Sequence, residues 1–406
     1  MPTAEVSIRN LQIITALDSL SYGMIYCFIS PYLQKLGSSH VHVSILTIGL
    51  LIAEQLSPDV AKIFTHIHGK RYALFLMLNT AFITHIIMVL TDSYWFTILI
   101  RILFSITNQS QNLCLELLLD KAENDDMKQT LSRNWSILSG SGFIIGPIVS
   151  GYLFDIGFGY IGVLAAFLAL INVYLLMSIT KTDKDSNVEP ADKSVLDKAR
   201  TKVNKNIKEF KKCLAEKHWD ILLLKYLFAA SVMIFFSKFT QILKHNYYSG
   251  SITMGHIGSY INCLVFASTF LVGELKTTIQ KCPLIFVSEI SFLLIAILMI
   301  LACYAPYLEL YMLLLIPIII LRSFIMTLWK ELFAERKSES LITLNSSASI
   351  LAGLTVPLMF GLICNQIAYR AVILFSFVPM ILCWVIIKWH SKFIIISNDE
   401  ADKKDL

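Results

Sequence analysis

The feature that most constrains what this chain can fold into is a succession of apolar runs, each about twenty residues long, divided by short polar connections. A helix rises about 1.5 Å per residue, so a run of about twenty covers the roughly 30 Å of a bilayer's hydrocarbon core. Twelve such runs are present, at 11–33, 41–63, 72–90, 95–118, 135–154, 160–180, 221–243, 253–274, 284–304, 308–328, 341–364 and 370–389. Hydrocarbon offers the backbone no hydrogen-bond partner, so a spanning segment closes its own bonds as a helix or joins a sealed barrel. Runs of this length, without strand-like alternation, specify helices. Charged residues are 16% of the chain against about 25% in soluble domains, which fits a chain with little water-facing surface. The expected fold is an all-α integral membrane protein of twelve transmembrane helices.

One connection is long, 181–220, and it divides the spans six and six. The expected organisation is an N-terminal six-helix lobe over 1–180, a linker over 181–220, a C-terminal six-helix lobe over 221–390 and a tail over 391–406. The linker is dense in lysine, which marks it as cytoplasmic. Within it Leu196, Ala199, Val203, Ile207, Phe210 and Leu214 recur at helical spacing, the pattern of an amphipathic helix along lipid headgroups or in solvent. Lys62, Lys70, Arg71, Lys121, Lys128, Arg133, Lys276, Lys281, Lys330, Arg336 and Lys337 gather on the linker's side, whereas the opposite connections hold Lys35, Lys244 and Arg370. By the positive-inside rule both termini are cytoplasmic. The opening residues lack the basic start and cleavage site of a removable signal, so the run from Leu11 is expected to be retained.

Ionisable groups inside spans cost about 2.5 to 3.5 kcal/mol each on insertion scales, so each needs a reason. Asp18 lies about a third of the way through the first span, with Tyr22 and Tyr26 following on its helical face. A carboxyl group there can take up and release a proton or a cation, or be tied to neighbouring hydroxyls for packing alone. Arg101 in the fourth span is the natural counter-charge, although helix rise places it nearer the outer surface than Asp18, and snorkelling to the headgroups is the simpler alternative. Glu54 in the second span is a further proton-site candidate. Asn108, Gln109 and Gln111 suit a polar cavity wall or bonds between helices, and Arg322 is a cavity candidate in the tenth span. His85 is expected to be a hydrogen-bonded core residue, and Lys238 and Glu289 to snorkel.

The fifth span places glycine and proline inside an apolar run: SGSGFIIGPIVSG, Ser139 to Gly151. Ser139, Gly142, Gly146 and Ser150 form one smooth helical stripe along which another backbone can approach. Pro147 has no N–H to give the carbonyl of Phe143, a loss that membrane helices tolerate when neighbours supply a donor. Ser349, Gly353, Pro357 and Gly361 repeat the pattern in the eleventh span, and Gly255, Ser259, Cys263 and Ala267 offer a smooth partner in the eighth.

Together these features resemble the major facilitator superfamily, and within it the drug:proton antiporter type, which includes tetracycline-efflux proteins and the animal group called major facilitator superfamily domain-containing protein 9. Gly142, Gly146, Pro147, Ser150 and Gly151 match that type's fifth-span motif, with one serine for glycine. Asp18, Gly23, Pro31 and Gly37 follow its first-span pattern, and Arg101 and Asp120 its fourth. The resemblance implies alternating access between two lobes, with the fifth-span stripe at the lobe interface and a cytoplasmic latch made by Gly69, Lys70, Arg71 and Asp120. The latch loop departs from the family pattern: it reads KIFTHIHGKR, with His66 where the family has an acid. Ser105 likewise stands where the family has glycine after the fourth-span arginine.

The expected function is a secondary active transporter of a small organic solute, coupled to protons. The alternative is a transport-deficient relative that serves as a membrane receptor or assembly partner, a reading prompted by the altered loop. No enzyme, cofactor or metal site is expected. There is no P-loop, H-E-x-x-H or G-x-S-x-G, and the eight cysteines show no C-x-x-C spacing. The net charge of +5 comes from loops and implies no nucleic-acid partner. Lys403 and Lys404 in the last four residues fit a dilysine address read by a retrieval coat, which points to the endoplasmic reticulum or early secretory membrane, with the plasma or lysosomal membrane as the alternative.

Overall fold

A computed structural model describes residues 2–179, 219–237, 239–279, 284–335, 339–363 and 374–402. The linker helix expected within 181–220, Lys238 and the dilysine at Lys403 and Lys404 lie outside the described residues. Fourteen helices are found among the described residues: α1 (Pro2–Lys35), α2 (His40–His68), α3 (Lys70–Leu90), α4 (Tyr94–Thr107), α5 (Ser110–Leu119), α6 (Asp125–Ile156), α7 (Phe158–Met177), α8 (Trp219–Ser237), α9 (Phe239–Asn246), α10 (Ser251–Ile279), α11 (Leu284–Cys303), α12 (Leu308–Glu335), α13 (Glu339–Ile363) and α14 (Phe377–Asp402). Each of the twelve expected spans holds at least one of them, and the protein is an all-α, twelve-span membrane protein. Eight of the helices are long and apolar enough to cross a bilayer on their own, and Leu222–Phe236, Ala348–Ile363 and Phe377–Trp389 are shorter apolar helices.

The fourth span differs from expectation. In place of one helix over 95–118 there are two, α4 and α5, parted at Asn108 and Gln109. The break falls on the polar sequence Thr107-Asn108-Gln109-Ser110, whose side chains take partners off the ladder: Thr107 donates to the Phe104 carbonyl, Gln109 to Ser57 and Ser110 to Asp18. The Asn108 amide falls back to the Ser105 carbonyl and the Gln109 amide to that of Thr107, so the ladder restarts only with the bond from Leu113 to Gln109.

The chain divides into two units, 1–202 with 248–263, and 203–247 with 264–406. In the first, α1, α3, α5 and α7 share a core of Leu11, Ile14, Leu74, Leu78, Leu113, Leu118, Val173 and Leu176. Helix α1 ends in a Schellman turn. Gly37, at φ +87°, lets the Ser38 amide reach the Leu33 carbonyl, a backbone shape that costs other residues about 1 kcal/mol. In the second unit, α8 packs against α13 through Ala230, Ile234, Ala352 and Val356.

The fifth-span stripe, on α6, meets two different neighbours. Gly142 and Gly146 lie against α1: a Cβ on Gly142 would fall 2.5 Å from that of Ser19, and one on Gly146 would fall 2.8 Å from the Gly23 carbonyl carbon. Gly151 lies instead against Ser251 and Gly255 at the start of α10. Of the stripe, Gly151 meets the candidate partner Gly255 of the eighth span, whereas Gly142 and Gly146 meet α1. At 3.6 residues per turn a long stripe drifts around its helix, and its N-terminal part arrives at α1. Ser150 is fully buried and donates to the Pro147 carbonyl. The Phe143 carbonyl, which Pro147 leaves without an amide donor, accepts a hydrogen bond of 2.8 Å from Asn262 Nδ2 on α10.

Candidate functional site

Two turns of α1 and the interruption between α4 and α5 build the site in the first unit. Asp18 Oδ2 accepts hydrogen bonds of 2.7 Å from Ser110 Oγ and 2.7 Å from Gln111 Nε2, and Gln111 also donates to the Thr15 carbonyl at 3.2 Å. Both donors sit in the first turn of α5, where backbone amides have no carbonyl within the helix and the helix dipole favours a negative group. Ser110 Oγ also lies 3.4 Å from Asn108 Oδ1, within the break itself. Gln109 Nε2 donates to Ser57 Oγ at 2.6 Å, and Ser57 Oγ donates in turn to the Glu54 carbonyl at 3.0 Å. Pro58 is the residue that deprives that carbonyl of its amide donor. The interruption of the fourth span is thus bonded to α1 on one side and to a proline-weakened turn of α2 on the other.

One turn along α1 from Asp18, Tyr22 covers Arg101. The guanidinium carbon is 5.0 Å from the centroid of the Tyr22 ring and 5.3 Å from that of Phe104. Arg101 is 1% exposed, so the snorkelling alternative does not apply. Its Nε and Nη1 are shut off from solvent and meet no acceptor. The ion pairs among the described residues are Lys70 with Asp120 and Glu116, and Lys128 with Asp125; Arg101 is in none of them. The expected pairing of Arg101 with Asp18 is therefore not made. Asp18 instead bonds groups nine and ten residues further along the fourth span, and the arginine lies under an aromatic ring. Glu54 is exposed on α2 and forms no ion pair with Arg101. Tyr26, 61% exposed, stacks on Tyr22 with ring centroids 5.9 Å apart.

The remaining expected residues fall elsewhere. Arg322, on α12 in the second unit, lies 5.5 Å from the centroid of the Phe236 ring. His85 is buried, with Nε2 3.3 Å from Ser21 Oγ. Gly69, at φ +82°, joins α2 directly to α3. Lys70 Nζ donates to Asp120 Oδ2 at 2.7 Å and lies 3.6 Å from Glu116 Oε2, while Arg71 Nη2 donates to the carbonyls of Leu176 and Met177 at the end of α7. These contacts stay within the first unit. Sequence reasoning missed Ser57, Ser110, Phe104, Glu116 and Asn262. Ser57 could have been found from its place before Pro58, and Asn262 as the polar residue of the glycine-bearing α10 face.

The Major Facilitator Superfamily pattern matches residues 11–329. The chain belongs to the Major Facilitator Superfamily. It is accordingly a multi-pass membrane protein of a transporter family. Among solved structures it resembles the nucleoside transporter NupG, at a TM-score of 0.73 and 14% identity over 95% of this chain and 99% of that one. It also resembles a bacterial homologue of the human lysosomal transporter Spinster in an inward-facing, unoccupied conformation, at a TM-score of 0.70 and 14% identity over 97% and 96% of the two chains. The human organic anion transporter MFSD10 (TETRAN) gives a TM-score of 0.58 at 11% identity, covering 95% of this chain and 100% of that one. At such identities the likeness is one of fold. Compared with curated protein sequences, this superfamily member matches none.

Proposed function

We propose that this superfamily member is a secondary active transporter which moves a small organic solute by alternating access, coupled to protons through Asp18. Within the superfamily we assign it to the drug:proton antiporter type, beside the domain-containing protein 9 group, on Gly142, Gly146, Pro147 and Gly151 of α6 and Arg101 of α4. Both termini are taken as cytoplasmic from the lysine and arginine distribution, and the early secretory membrane is the favoured location.

The observation that carries the reading is the place of Asp18 at a break in a membrane span, with two donors on one carboxylate oxygen. As a carboxylate, Asp18 accepts from both Ser110 and Gln111. Once protonated, the acid has a hydrogen of its own to place. The Ser110 hydroxyl is both donor and acceptor, so it can turn to receive that hydrogen and give its own to Asn108 Oδ1, 3.4 Å away. Proton uptake on α1 then changes the bonding of the residues that interrupt the fourth span, which is the link a coupled transporter requires. The altered α2–α3 connection, which prompted the receptor alternative, retains the Lys70–Asp120 contact.

Flux in proteoliposomes under an imposed pH gradient tests the proposal. The wild-type chain drives solute exchange that follows the gradient, and Asp18→Asn exchanges solute without responding to it. An Asp18→Asn protein whose flux keeps the wild-type pH dependence removes Asp18 from coupling.

A further inference from the structure

Arg101 is the largest side chain among the fully buried ones in the described residues, and the one that carries a fixed charge. Guanidinium stays protonated at any physiological pH, so this charge cannot be discarded by titration. Burying an ion costs several kcal/mol, and proteins offset the cost with a counter-ion or a full set of hydrogen bonds. Neither is complete at Arg101. Nε and Nη1 are both without an acceptor, and the partners in contact are the faces of Tyr22 and Phe104, which attract a cation but accept no strong hydrogen bond. Asp18 is held by Ser110 and Gln111, and Glu54 is exposed and outside ion-pair range.

Tyr22 and Phe104 both lie over the guanidinium, and the Tyr22 ring continues into further aromatic contacts. Tyr22 stacks on Tyr26 at an interplanar angle of 18° and meets Phe143 edge-on at 5.7 Å. Tyr26 is largely exposed, Tyr22 is half-buried and Arg101 lies beneath it, so the aromatic surface leads from an open end to an unpaired positive charge. A flat apolar body can lie against Tyr26 and Tyr22 while an oxyanion reaches the arginine, and a turn of the Tyr22 ring opens the way.

We infer that the transported solute is an organic anion, and that Arg101, walled by Tyr22 and Phe104, is the receptor for its carboxylate or equivalent oxyanion. The inference rests on the transport reading above and names its substrate class. The solute supplies the acceptor that the protein withholds from Nε and Nη1. A neutral solute leaves the charge of Arg101 unpaired even where its carbonyl accepts from Nε or Nη1, and a cationic one is repelled.

The test is equilibrium binding to the purified full chain in lipid nanodiscs with no pH gradient. The probes are benzoate and phenylphosphonate, with neutral benzamide and cationic benzylamine of similar shape. For the wild type, the two anions raise the midpoint of thermal unfolding, and benzamide and benzylamine do so at least about tenfold more weakly in concentration, the factor that one charge-assisted hydrogen bond commands. Arg101→Met loses that preference, whereas Arg101→Lys keeps part of it. The unfolding midpoint without ligand separates this role from a structural one. An unpaired buried charge kept for a ligand leaves Arg101→Met as stable as the wild type or more so. A structural arginine makes it less stable. The inference is overturned if the anions bind no better than benzamide, if Arg101→Met retains the preference, or if Arg101→Met loses stability while Arg101→Lys binds no anion. Because binding is read without a gradient, absent pH-driven flux with intact anion preference rejects the coupling reading alone. Flux of a cationic probe without anion preference rejects this inference alone.

Discussion

The bond from Asn262 to the Phe143 carbonyl is a place where sequence, backbone chemistry and packing can be separated by mutation. Pro147 removes the amide that would have served that carbonyl, and Asn262 of α10 replaces it at 2.8 Å. Replacing Asn262 by Leu leaves a carbonyl without a donor where water is scarce. Interhelical hydrogen bonds in membranes are worth about 0.6 kcal/mol on average and up to about 1.7, while an unmet buried group costs about 1 to 3 kcal/mol. A loss of about 1 to 2 kcal/mol is expected for Asn262→Leu alone. In a Pro147→Ala background residue 147 has an N–H aimed one helical turn back at Phe143, so the same Asn262→Leu change costs about 0.5 kcal/mol or less. The two substitutions are therefore coupled by about 1 kcal/mol, roughly a fivefold change in the unfolding equilibrium. Reversible unfolding of the full chain in mixed detergent micelles titrated with SDS, followed by far-ultraviolet circular dichroism, measures all four corners of the cycle. Additivity within about 0.3 kcal/mol would refute the claim that Asn262 serves the proline-freed carbonyl.

Two further outcomes follow from the same contacts. Gly142→Ala puts a Cβ 2.5 Å from Ser19 Cβ and 2.6 Å from the Leu20 amide nitrogen, so α1 and α6 must separate; a loss of about 1 to 3 kcal/mol is expected in the same unfolding assay, whereas Gly250→Ala, with nothing within 4 Å, changes little. Lys70→Asp combined with Asp120→Lys is expected to recover most of what either loses singly, and the coupling should be about 1 kcal/mol or less and fall with added salt, since the two side chains are 35% and 42% exposed.

The sequence by itself determined the twelve spans and their helical state, and the proline of the fifth span, but not the interruption of the fourth. Length, apolarity and the need to satisfy every backbone group in hydrocarbon leave few alternatives, so run length recovers the spans, though not the break within the fourth. It also named Asp18, Arg101 and Gln111 as costly residues, because the membrane penalises polar groups whatever their neighbours. The partners of those residues were decided elsewhere. Asp18 and Arg101 looked like a pair because their charges are opposite, yet Asp18 meets Ser110 and Gln111 while Arg101 lies under Tyr22 with two nitrogens unmet. That outcome depends on the crossing of α1 over the interrupted fourth span. On its other neighbour α1 packs by Ser19 and Gly23 against Gly142 and Gly146 of α6, groups far apart in the chain. Periodicity along one helix reports which residues share a face, but not which neighbour that face will meet. The glycine stripe of α6 was legible as a stripe; that one end of it serves α1 and the other α10 only the tertiary structure decided, because two helices choose their contact by fit between both surfaces.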